Sequence, residues 1–61
     1  MKTQKTVEEI MTEIEEAMIS NPENENDDLS AWQAQAEEEI FSHDQKDWGI
    51  ATEKFIQKHF S

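Results

Sequence analysis

The sequence predicts an all-α fold, a small three-helix domain, on three observations. Apolar residues recur at helical period in three separate segments. A capping pattern stands at or near the start of each segment, and no stretch alternates apolar and polar residues as a half-buried strand would. Sixty-one residues make one domain, 1–61, with helices expected at about 6–20, 29–41 and 44–60 and a flexible acidic linker at about 21–28.

The first helix is the best specified. Val7, Ile10, Met11, Ile14, Ala17 and Met18 form one apolar stripe. Thr6 and Glu9 read as a capping box, and Glu8 and Glu9 favour the positive end of the helix dipole. Ser20-Asn21-Pro22 ends the helix, because the residue before a proline avoids the α region. The run Pro22 to Asp28 contains no apolar residue and is rich in turn formers. Its length lets a second helix return antiparallel to the first.

The second helix starts near Leu29, capped by Asp28 or by Ser30, the latter as a capping box with Gln33. Leu29, Trp32, Ala36 and Ile40 share one face; Phe41 lies off it and marks the helix end or a second contact surface. Ser42-His43-Asp44-Gln45 offers a third capping box, which requires a short turn before the third helix. There Trp48, Ala51, Phe55 and His59 form a stripe, with Thr52, Ile56 and Phe60 beside it. Gly49 costs about 1 kcal/mol relative to alanine, and the expectation is that it admits a close neighbour such as the Trp32 ring.

Bulk composition narrows the function. Apolar residues are 34% of the chain and charged residues 33%, polar for a globular domain but clustered well enough to fold. A chain this short buries about 60% of its extended surface. With no cysteine to supply a disulfide or thiolate metal site, oligomerisation or partner binding is the remaining source of stability. No apolar run approaches the roughly 18 residues of a membrane span. The basic first residues are followed by an acidic segment where a signal peptide has an apolar one, so a cytoplasmic location is expected.

Charge is the distinguishing feature. The net charge is −10, and twelve of the fifteen acidic residues lie between Glu8 and Glu39, a stretch without Lys, Arg or His. Such a chain repels nucleic acid and anionic membranes and attracts basic proteins. Ordinary solvated helices mix Glu with Lys at i, i+4, and like charges at that spacing are mildly destabilising. Carboxylates about 6 Å apart on a helix match the several-ångström spacing of phosphates on nucleic acid. The carboxylates of Glu8, Glu9, Glu13, Glu16, Glu37, Glu38 and Glu39 are therefore the candidate partner-binding set.

Other constellations are weaker. Trp32, Phe41, Trp48 and Phe60 could anchor an apolar interface, against the plainer reading that most aromatics build the core. His43, Asp44 and His59 lie too far apart along a helix for a metal site. Asn26, Asp28, Ser30 and Glu37 copy part of a calcium-loop spacing, but Ala31 stands where that loop needs glycine. No motif of nucleophilic, phosphate-binding or zinc chemistry is present. The sequence thus predicts no enzyme, no cofactor and no metal. It predicts an acidic binding module or inhibitor that engages a basic, nucleic-acid-binding type of protein as a DNA mimic. The alternative is a homo-oligomeric accessory subunit, such as a homodimer, held by those aromatics. In general style, by analogy alone, the chain is like short acidic helical proteins of phages and mobile elements.

Overall fold

The computed structural model describes residues 5–60. Three α-helices follow one another, α1 (Val7–Ser20), α2 (Leu29–Glu39) and α3 (Trp48–Phe60), and a 3-10 turn, Gln45–Asp47, leads into the last. Each helix packs on the other two, giving a body of 34 × 23 × 18 Å. No strand occurs among the described residues, and no helix is long and apolar enough to cross a membrane.

The start of α1 follows from its capping box. Glu9 N–H donates to Thr6 Oγ1 at 3.2 Å, and Thr6 N–H donates to Glu9 Oε1 at 3.0 Å. Its stripe then buries Ile10, Ile14 and Met18 at successive i, i+4 positions. Val7, at the exposed end of that stripe, stays 45% exposed.

The acidic segment 21–28 is a chain of turns with defined partners. Asn21 is its pivot. Its side-chain oxygen accepts from Glu23 N–H at 3.1 Å, while its amide donates to the Phe60 carbonyl at 2.8 Å, tying the end of α1 to the end of α3. Asp27 Oδ2 accepts from Asn24 Nδ2 at 2.8 Å and from Trp32 Nε1 at 3.0 Å. These two donors, Asn24 first, hold the Asp27 carboxyl below its ordinary pKa. Of the two caps offered for α2, Asp28 is used: its carboxylate accepts from Ser30 N–H at 3.0 Å.

Two boundary expectations need correction. α2 stops at Glu39 rather than 41, because the N–H groups of Ile40 and Phe41 both converge on the Ala36 carbonyl, at 2.7 and 3.1 Å. Phe41 thereby leaves the helix and meets Trp48, with ring centroids 4.9 Å apart. The third capping box does not form: Asp44 makes no side-chain cap, and Ser42 Oγ donates back to the Glu38 carbonyl at 2.6 Å. A local acceptor on the preceding helix wins over the next helix's start.

The core comprises Ile10, Ile14 and Met18 of α1, Ala36 and Ile40 at the end of α2, and Phe55 and Phe60 of α3. Full burial of an Ile or Phe side chain is worth roughly 1.5–3 kcal/mol each. Trp32 closes one end, edge-on to Phe60 at 4.7 Å and to Phe55 at 5.9 Å. Thr52 is the buried polar residue among those described, and its hydroxyl donates to the Trp48 carbonyl at 2.7 Å. Gly49 does not admit the Trp32 ring. A Cβ built there meets nothing within 4 Å, and Trp32 packs near the opposite end of α3.

Candidate functional site

With 3.6 residues per turn, the burial of Ile10, Ile14 and Met18 sends the opposite face of α1 to solvent. Glu8, Glu9, Thr12, Glu15, Glu16 and Ile19 are all exposed there. The helix holds no Lys, Arg or His, so its own residues do nothing to offset these charges. Lys5, Glu8, Glu9, Thr12 and Glu13 border a shallow depression of about 490 Å³ at its N-terminal end. Lys5 reaches across to form an ion pair with Glu13. Glu9 retains its cap on Thr6 N–H. These contacts separate the α1 carboxylates expected to act together: Glu9 and Glu13 have structural partners, whereas Glu8 and Glu16, and Glu15 beside them, are exposed with no ion pair among the described residues. Glu15 was not among the candidates, although its position away from the apolar stripe is readable from helical period alone.

On α2, Glu37 and Glu38 are exposed and Glu39 turns inward. His59 Nε2 lies 3.0 and 3.2 Å from the two Glu39 carboxylate oxygens, Gln35 Nε2 also bonds to it, and Lys58 Nζ lies 3.9 Å away. Burial alone would raise the Glu39 pKa. The hydrogen bonds from Gln35 and His59, followed by the charges of His59 and Lys58, outweigh it and hold the carboxyl below its ordinary range. Glu39 is therefore a fastener between α2 and α3. The acidic stretch lacks compensating charge only along the sequence; in space Lys5 and the end of α3 answer it at two points.

The aromatic set is mostly internal. Phe60 is 7% exposed, and Trp32, Phe41 and Trp48 are half-buried against other rings. Both Trp N–H groups are occupied, Trp32 by Asp27 and Trp48 by the His43 carbonyl at 2.9 Å. Among the described residues no three His, Cys, Asp or Glu side chains gather as metal ligands. Ser30 and Glu37, two of the residues in the calcium-like spacing, lie within α2. No family model, curated protein or solved structure matches this chain.

Proposed function

We propose that the chain is an acidic protein-binding module that engages a basic protein through the outward face of α1, its carboxylates standing where that protein receives nucleic-acid phosphates. The observation that carries this reading is the exposure of Glu8, Glu15 and Glu16 on a helix without one basic residue. Repulsion between like charges three or four positions apart costs a few tenths of a kcal/mol per pair. A face serving solubility alone gains nothing from omitting lysine. A face that must present an unbroken negative potential to a cationic partner does.

Glu37 and Glu38 add exposed charge on α2. Glu9, Glu13 and Glu39 contribute to the field while keeping their internal partners. Binding by such a surface falls steeply with salt. The test is capture from lysate by the immobilised chain, beside an E8Q/E15Q/E16Q variant, at about 50 and about 150 mM salt. The expected result is a DNA- or RNA-binding protein held by the native chain, lost with the variant and displaced by duplex DNA. Equal retention by both chains, or retention indifferent to salt, would overturn the reading.

A further inference from the structure

The outward face of α3 differs in character from that of α1. Asp47, the last residue of the 3-10 turn, continues the ridge formed by Ile50, Ala51, Lys54 and Lys58 of α3, and all five line an open groove of about 410 Å³ that Glu39 of α2 also borders. Ile50 is 61% exposed, the most exposed large apolar side chain among the described residues. Lys54 makes no ion pair among those residues, and Lys58 reaches Glu39 only at 3.9 Å. Along the ridge the order is acid, isoleucine, alanine, lysine, lysine, spanning about 16 Å at 1.5 Å per residue. Reversed and laid against itself, that order is complementary. Asp47 of each copy meets Lys58 of the other, and the small Ala51 lets the two helices approach. The Lys54 aliphatic stem then covers Ile50. A two-fold axis makes each such contact twice, as an isologous interface requires.

We propose that this ridge is the contact surface of a symmetric dimer in which two α3 helices pack antiparallel. The occupant is a second copy because the charge order is self-complementary and the reversed ridge pairs both of its ends at once. Antiparallel α3 helices also set their dipoles favourably. A contact of one helix face per subunit lies at the small, exchanging end of protein interfaces, so the dimer forms with rising concentration. The inference is independent of the carboxylate face on α1.

The test is sedimentation equilibrium from about 5 to about 500 μM, on the native chain and five variants. I50E, D47K and K58E alter exposed side chains outside the core, and far-UV circular dichroism checks that each still folds. Each is expected to weaken self-association at least about tenfold, through a buried charge or through two like-charge pairs. D47K and K58E mixed together restore both pairs and dimerise, as does the double variant D47K/K58E alone. The E8Q/E15Q/E16Q chain dimerises like the native one. A native chain that stays monomeric throughout, a dimer unaffected by I50E, or single variants whose mixture fails to associate would each overturn the proposal.

Discussion

Replacing Glu39 with glutamine separates a structural carboxylate from the exposed ones beside it. Glu39 accepts from His59 and Gln35 and lies near Lys58, with its side chain 23% exposed. Hydrogen bonds to a charged group are worth about 1.5–3 kcal/mol; partial exposure and the bond an amide oxygen can retain reduce this to about 1 kcal/mol for E39Q. In a domain of this size that lowers Tm by about 4–8 °C. The pH dependence has a definite sign. Glu39 is held below its ordinary value, so its contribution is complete above about pH 4.5 and is lost as pH falls through the folded-state value. The assay is thermal unfolding followed by circular dichroism at pH 7 and pH 3, with E37Q as a control. E37Q removes the same charge from an exposed carboxylate and leaves Tm unchanged or slightly higher, because it relieves net repulsion. An E39Q Tm equal to the native value at pH 7, or a deficit undiminished at pH 3, would refute the reasoning.

Two further substitutions test the fold. I14A removes a fully buried side chain at the centre of the α1 stripe and should cost about 2–5 kcal/mol, seen as a lower urea midpoint or loss of cooperative unfolding. G49A should stabilise by up to about 1 kcal/mol, because the added methyl meets open space; a lower Tm would show that the glycine is needed for another reason.

Much of the fold is local in origin and therefore legible in the chain. The Thr6–Glu9 box, the 3.6-residue stripe of α1, the stop before Pro22 and the Asp28 cap each depend on residues within four positions of one another. The expectations that failed concern competition between neighbours or across the fold. Ser42 had two acceptable uses, and the Glu38 carbonyl took it. Gly49 invited a neighbour, but an added Cβ there meets nothing within 4 Å, and the expected Trp32 ring packs toward the other end of α3.

The candidate site divides in the same way. Sequence alone determined that α1 bears five glutamates and no cation, since composition and helical period need no partner to be read. Only the tertiary structure decided which carboxylates remain available. Lys5 lies eight residues from Glu13, and His59 lies twenty from Glu39. Which distant side chains meet is set by packing the three helices around Ile10, Ile14, Ile40 and Phe55. Burial fixes those helices against one another, and the charges carried on their surfaces pair as that packing allows.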